Sequence, residues 1–496
     1  MKREITILTF KTLNGNSYFY DAYTGGIYPM DDIFQDTLVY VREGYNIKEI
    51  KNMLNKNYED HILVEGATNY IFKLISLGGI IASEKNNSRL TCRETYKNVI
   101  EYGGMFQLIL NITENCNLRC KYCYLSDVYN YSRNRTYKKM SYEVAVQAID
   151  NFFDSIAKIK KIIPGKKCAI TFYGGEVLLE KELLKNCIEY AKEKAPTDII
   201  FSLTTNGTLL DNEISDFLVE NNVYIGVSLD GNKINHDRNR VYSDGKGSFD
   251  LIMKNLENFT KRYADYKNIS LLMVNDYKTK LKENVSFFEE NQNLPRISFL
   301  TMAADYNTDY YNQFTYDDME NYAREYYDLL SDYIKKKSNN TYISKYVKAM
   351  FEMPMVEAII RPRINDDKPS FLRYTGACIP GSKISVRATG ELDTCERVNP
   401  TFPIGRHDTW LDYNKISNMI NDYNLSVTND CWKCPLNKKC PVCFAQCCKD
   451  GYFERYECSG LINGFIEKLA AMYSVLEVNA TAYDSLVAPI ELLLNN

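Results

Sequence analysis

No stretch of this 496-residue chain is long and apolar enough to span a membrane. Its opening residues, Met1-Lys-Arg-Glu onward, build no apolar signal-peptide core. The expected compartment is therefore the cytoplasm. Basic excess is also missing. The 60 Lys and Arg face 64 Asp and Glu, a formal charge of −4, which argues against a broad nucleic-acid-binding face. There is no internal repeat and no long low-complexity segment. Cysteine and tyrosine, by contrast, are abundant, at 15 and 40 residues. So many cysteines without an export signal point to metal ligation rather than disulfides. The tyrosines read as compositional bias first and as a peptide-binding surface second. Apolar content of 45% and charged content of 25% suit a soluble globular protein, and the length suggests about three domains.

The first unit, residues 1–95, opens with strands at Ile5–Phe10, Ser17–Tyr20 and Ile27–Met30, then turns helical. Ile47, Ile50, Met53 and Leu54 share one helical face, and Thr68–Leu77 reads as a second helix ending at Gly78-Gly79. Residues 105–310 alternate six strands with helices. The strands are Gln107–Thr113, Ala169–Phe172, Ile199–Thr204, Tyr224–Ser228, Ser270–Val274 and Arg296–Leu300. That alternation predicts parallel β/α units closing partly into a barrel, with sites at the C-terminal strand ends. Residues 311–375 read as a helical bridge, 376–460 as a cysteine-rich region and 461–496 as a C-terminal helix.

The cysteines fall into two groups. Cys92, Cys168 and Cys187 are scattered and read as buried small apolar residues. Cys116-Asn-Leu-Arg-Cys120-Lys-Tyr-Cys123 follows the first barrel strand. Three thiolates on one short loop can face a single point. A four-iron cluster held by three cysteines keeps one iron without a protein ligand. A structural zinc ion wants four ligands, and no histidine or fourth cysteine lies nearby. The C-x3-C-x2-C spacing, with aromatic Tyr122 before the last cysteine, resembles the signature of radical S-adenosylmethionine (SAM) enzymes.

Further motifs follow successive strands: Tyr173-Gly-Gly-Glu176, Thr204-Thr-Asn-Gly207, Ser228-Leu-Asp-Gly231 and His236-Asp-Arg-Asn-Arg240. The resemblance implies that Gly174, Gly175 and Glu176 hold the amino group of SAM. It places Asn206 and Ser228 near its ribose and carboxylate, and pairs Arg240 with the carboxylate. The family often has proline after the glutamate, where this chain has Val177.

The second group runs from Cys378 to Cys458. Cys378-x11-Gly390-x4-Cys395 and Cys431-x2-Cys434-x5-Cys440 resemble the SPASM extension found on radical SAM enzymes that modify peptides and proteins. By that resemblance Cys431, Cys434, Cys440 and Cys458 hold an outer [4Fe-4S] cluster. Cys378, Cys395 and Cys443 hold an inner one with an open iron. The family spacing expects a cysteine at Phe444, so Cys443, Cys447 and Cys448 remain alternatives. A pair of zinc ribbons would also use these cysteines, but beside a SAM triad iron–sulfur is the favoured reading.

The implied fold is α/β. It is a partial (β/α)6 barrel with an N-terminal winged-helix-like peptide-recognition domain and a C-terminal iron–sulfur domain. The implied cofactors are SAM and three [4Fe-4S] clusters, one SAM-binding and two auxiliary. The implied activity is that of a peptide maturase forming thioether links, of the sactipeptide or ranthipeptide type. Its expected partners are a cysteine-containing precursor peptide with a leader and a reductant such as flavodoxin or ferredoxin, with neither nucleic acid nor membrane. The alternatives are a carbon–carbon crosslink, or oxidation of a Cys or Ser side chain as in sulfatase-maturing enzymes. Those oxidases commonly place Asp after the second SPASM cysteine, where this chain has Glu396. A non-catalytic iron–sulfur carrier is a further alternative. No residue is assigned as general base.

Overall fold

The computed structural model describes residues 2–82, 90–356, 358, 369–398 and 400–487. Parts of the expected leader unit (83–89), helical bridge (357 and 359–368) and C-terminal segment (488–496) lie outside the described residues, as does 399.

The chain begins with an antiparallel sheet of β1 (Ile7–Lys11), β2 (Ser17–Asp21) and β3 (Ile27–Pro29). Helices Asp32–Glu43, Ile47–Leu54 and His61–Ser76 follow. Strand alternation divides the sheet between two cores. Phe19 packs with Phe34, Ile50 and Ile71 in a small cluster of its own. Leu8, Phe10 and Tyr20 face the other way and join the main core. There Tyr18 lies 4.9 Å from Tyr473, and Tyr20 lies 5.2 Å from Phe465, both on the C-terminal helix Ser459–Leu476. The helix at Asp32–Glu43 was not expected, and the one expected at Thr68 starts earlier, capped by Asp60.

The central sheet holds six consecutive parallel strands: β4 (Gln107–Thr113), β5 (Cys168–Gly174), β6 (Ile199–Thr205), β7 (Tyr224–Ser228), β8 (Ile269–Asn275) and β9 (Ile297–Met302). Their crossover helices are Tyr142–Lys160, Lys181–Lys194, Asn212–Glu220, Phe249–Arg262 and Leu281–Glu290. The fold is the α/β partial barrel that the alternation predicted. Local chemistry starts these helices: Ser141 accepts from Val144 N and Asp211 from Ile214 N. β4 is buried along nearly its whole length, as a central parallel strand should be.

One feature went unforeseen. β10 (Lys383–Val386) runs parallel to β4 and extends the barrel sheet, followed by β11 (Glu391–Asp393), β12 (Gly405–Arg406) and β13 (Trp410–Leu411). Buried Asn111 of β4 donates across this seam to Ser385 Oγ (2.7 Å) and Val386 O (2.9 Å). The helix Tyr316–Ser338, opened by a Thr315/Asp318 capping box, packs on the C-terminal helix. Among the described residues no helix is long and apolar enough to cross a membrane.

Candidate active site

The cysteine loop leaves β4 and is pinned by the segment beyond helix Lys233–Asn239. Arg119 N donates to Val241 O (2.6 Å) and Lys121 N to Asn239 O (3.1 Å). This short ladder sets Arg240 against the loop. Arg240 Nη1 lies 3.9 Å from Cys120 Sγ, and its Nε donates to Asp230 Oδ2 at 3.0 Å. The guanidinium also sits 5.4 Å from the Tyr122 ring centroid, and the Tyr122 hydroxyl donates to the same Asp230 oxygen. Asp230 Oδ1 accepts from Val274 N at 3.0 Å, so one buried carboxylate ties β7, β8, the loop and Arg240 together.

His236 supports this node. Asp230 N donates to its Nδ1 at 3.3 Å, which leaves the ring proton on Nε2, 3.0 Å from Ser248 Oγ. Ser248 in turn donates to Arg240 O at 2.9 Å. Burial, and then the neighbouring Arg240, hold the imidazole well below the usual histidine range, so it stays neutral. Replacing Asp230 by alanine would leave buried Arg240 unpaired. The expected cost is about 3–5 kcal/mol, read as a lowered urea midpoint.

The Gly-Gly-Glu turn packs directly on the loop. Gly175 N donates to Thr113 O and Glu176 N to Asn115 O, each at 2.8 Å. A Cβ on Gly174 would sit 2.1 Å from Thr113 O, and one on Gly175 2.1 Å from Asn115 O. Both glycines therefore let the turn lie on the protein's own backbone. Glu176 is almost wholly buried and accepts from Thr205 Oγ1 (2.6 Å), Asn206 N (2.7 Å) and Leu178 N (3.0 Å). Burial raises its carboxyl above the usual range, and these hydrogen bonds oppose the shift. A carboxylate offers about four acceptor positions, so roughly one remains for a ligand's ammonium.

Asn206 is also committed. It donates to Asn117 Oδ1 (2.8 Å), lies 3.9 Å from Cys116 Sγ and accepts from Thr208. Ser228 is buried at the end of β7. Every barrel residue singled out from the sequence thus gathers at the strand ends. Asp230 was missed as the organising carboxylate, although it lay inside a quoted motif.

The thiols fit an iron–sulfur cluster by their donor chemistry. Burial pushes Cys116 up to about 11 and Cys120 up to about 12, so a bound metal must displace their protons. Leu118 N points at Cys116 Sγ (3.4 Å), and Leu436 N points likewise at Cys434 Sγ (3.4 Å). Cys395 accepts from the Arg397 backbone, and Cys443 from those of Ala445 and Gln446. A backbone N–H two residues on thus meets four of the sulfurs, an arrangement that favours thiolate. Among the described residues no three His, Cys, Asp or Glu side chains converge on a single-ion site.

The C-terminal thiols lie close enough to influence one another's ionisation. Cys395 has Cys443 and Cys378 as neighbours that would oppose its ionisation. Cys431 has Cys440, Cys434 and Cys458 in the same role. Cys447, fully buried, reaches Cys443, Cys440 and Cys458. Buried Cys168 and Cys187 match expectation, whereas Cys92 is exposed at a helix start, with Thr95 beside it. Between Cys395 and the barrel loop lie groups the sequence did not flag. Tyr124 feels Tyr173, Arg133, Glu396 and Cys123, and Tyr306 feels Arg397, Cys443 and Cys395. Arg133 donates to Glu396 O. These side chains bridge the two cysteine sites.

Residues 110–285 match the radical SAM superfamily. Among curated relatives, the radical SAM cyclopropyl synthase TigE of Paramaledivibacter caminithermalis is 26% identical over 64% of this chain and 66% of its own length. A cysteine-type anaerobic sulfatase-maturating enzyme of Clostridium novyi is 30% identical over 40% of this chain and 51% of its own. The chain thus spans about half to two thirds of these relatives. In three dimensions it is similar to anSMEcpe with bound AdoMet, with a TM-score of 0.56 and 20% identity over 78% of this chain and 98% of that one. That likeness is one of fold. With the three-cysteine loop, the Gly-Gly-Glu turn and Arg240 gathered at the strand ends, residues 110–285 of this chain are a radical SAM domain.

Proposed function

We propose that this protein is a radical SAM peptide maturase that forms thioether links between cysteine sulfur and carbon in a ribosomally made precursor. The observation that carries the reading is the trio Cys378, Cys395 and Cys443. These thiols lie within mutual electrostatic reach, and Tyr173 lies within such reach of both Cys123 and Glu396, the neighbour of Cys395. Held by three cysteines, an auxiliary cluster keeps one iron open, and soft thiolate sulfur is a suitable ligand for it. A substrate cysteine bound there would face the barrel.

Cys116, Cys120 and Cys123 would hold the SAM-binding cluster. Cys431, Cys434, Cys440 and Cys458 would hold the outer auxiliary one, making three in all. When bound, cluster and SAM supply a 5′-deoxyadenosyl radical that removes hydrogen from carbon. The chain's own residues position and enclose. Glu176 keeps an acceptor for the ammonium group of SAM, Arg240 keeps donors for its carboxylate, and Tyr122, Asn206 and Ser228 wall the site. Residues 1–95 would receive the leader, which can extend the three-stranded sheet at its terminal strand β3. Residues 105–310 would be the barrel unit, 311–375 the bridge and 376–460 the SPASM unit; the C-terminal helix expected over 461–496 spans Ser459–Leu476 and ends sooner. A low-potential flavodoxin or ferredoxin would supply electrons in the cytoplasm.

Cys447 competes with Cys443 for the inner cluster. The two N–H groups aimed at Cys443 favour it. Cys443→Ala should therefore lose inner-cluster iron and peptide modification, while Cys447→Ala keeps both. The reverse pattern in iron analysis would reassign the ligand.

A second reading has its own support. Glu396, beside Cys395, faces Tyr124 and Tyr173, where a carboxylate could take a proton during oxidation of a substrate Cys or Ser. Several curated relatives are named as sulfatase-maturating enzymes. The test is incubation with SAM, reductant and a short cysteine-rich peptide encoded beside the gene. A thioether removes two hydrogens per link and blocks that cysteine to alkylation. A carbon–carbon link leaves the thiols alkylatable, and side-chain oxidation leaves a hydrazine-reactive aldehyde. Failure to release 5′-deoxyadenosine would mean a non-catalytic carrier.

A further inference from the structure

Apart from Tyr122, which walls the site, the tyrosine excess has little part in the proposed chemistry, yet seven tyrosines form a continuous file. Tyr122, next to Cys123, lies 6.3 Å from Tyr310 by ring centroids. Tyr310 lies 5.5 Å from Tyr311, and Tyr311 5.5 Å from Tyr277. Tyr277 lies 5.8 Å from Tyr322, Tyr322 6.5 Å from Tyr326, and Tyr326 5.4 Å from Tyr327. All are within contact range for aromatic pairs. The file begins buried, with Tyr122 9% exposed and packed beside Cys120, and ends at the surface with Tyr327 at 55%.

We propose that this file is a redox relay that carries an oxidising equivalent from the cysteine loop to the surface, sparing the site. Ordinary core packing explains adjacent rings. It does not explain why both ends have a carboxylate at hand. The Tyr122 hydroxyl donates to Asp230 and that of Tyr310 to Asp276 Oδ2 at 2.6 Å, while the Glu467 carboxylate lies near Tyr327. Between them, Tyr311 donates to Ala303 O and Tyr322 to Met302 Sδ, which are weak bases. The hole therefore passes through the middle and rests at the ends.

The step balances locally. An oxygen-centred radical beside the loop takes one electron from Tyr122 and, with a solvent proton, becomes hydroxyl or water. The Tyr122 proton moves to Asp230. Tyr310 then gives Tyr122 an electron, the first proton returns from Asp230, and the Tyr310 proton moves to Asp276. Tyr311, Tyr277, Tyr322 and Tyr326 are half-buried and pass the hole on by releasing their protons to solvent and regaining them. At Tyr327 a thiol reductant supplies the electron and becomes a thiyl radical on losing its proton.

The test exposes the iron-loaded full-length protein to limiting hydrogen peroxide with a nitroso spin trap, and maps the adducts by mass spectrometry. Tyr137 is the control. It is 83% exposed and lines a cavity with Asn115 and Arg119 beside the loop. The relay predicts an adduct on Tyr327 exceeding that on Tyr137, and loss of the Tyr327 adduct in Tyr277→Phe and in Tyr322→Phe. Both variants keep the ring and remove only a hydroxyl. Labelling that follows exposure alone, with Tyr137 ahead and both variants unchanged, overturns the relay. Absence of bound iron before peroxide is added would instead overturn the cluster reading on which the radical source rests.

Discussion

Cys120→Ala is expected to abolish cleavage of SAM to 5′-deoxyadenosine and, on the proposal of three clusters, to remove about one third of the bound iron. Cys120 Sγ lies on Arg240, and its two partner thiols sit on the same loop. Without it, two cysteines remain for four irons, and the loop cannot retain the cluster. The auxiliary sets share no ligand with this loop, so their iron should stay. Iron analysis and product chromatography check both halves. Wild-type iron with undiminished cleavage would show that the loop is not the ligand set. Loss of all iron would show that the three sites assemble together.

Gly175→Ala and Gly174→Ala should have the largest effects on folding. The new methyl carbon would sit 2.1 Å from Asn115 O and 2.5 Å from Asn115 C. Both are backbone atoms immediately before Cys116, so no side chain can swing away. Gly174→Ala meets Thr113 O at the same separation and adds a φ of +142°, a conformation alanine resists. A cost of about 3 kcal/mol or more is expected for each, within the range of severe core disruptions. Two controls separate clash from backbone strain. Gly245 has φ +83° and open space around it, so Gly245→Ala should cost only about 1 kcal/mol. Gly165 has open space and no positive φ, so Gly165→Ala should be close to neutral. Thermal melts of the four variants would rank them. Equal melting temperatures for Gly175→Ala and Gly165→Ala would refute the packing account.

What could be read in advance follows from how local the signals are. Strands β4 and β7 begin and end where their apolar runs predicted, because non-strand backbone bounds each run on both sides. The cysteine loop, the Gly-Gly-Glu turn and Arg240 were legible as spaced residues. The role of Asp230 was not. Its partners Tyr122 and Arg240 lie 108 and 10 residues away, and only the fold brings them together. Glu176 and Asn206 looked free to meet a ligand, but they mostly brace the loops. The Asp32–Glu43 helix was hidden by the turn-like Pro29-Met30-Asp31-Asp32, whose Asp31 is in fact the helix cap. Strand β10 is only four residues long and sits among cysteines that drew the eye to metal.

The pairing of β10 with β4 limits what can be exchanged. Lys383–Val386 sits residue for residue against Gln107–Leu110, locked by Asn111 onto Ser385. A cassette of auxiliary cysteines from another protein cannot simply be spliced on after the bridge. It must bring a strand that accepts Asn111 in the same register. A one-residue slip would turn that amide towards apolar neighbours and shift the distance between the two cysteine sites by a full strand rise, about 3.3 Å. Chimeras built with the crossover after β13 should therefore fold and align their sites. Those cut before β10 should expose an edge of the barrel and aggregate.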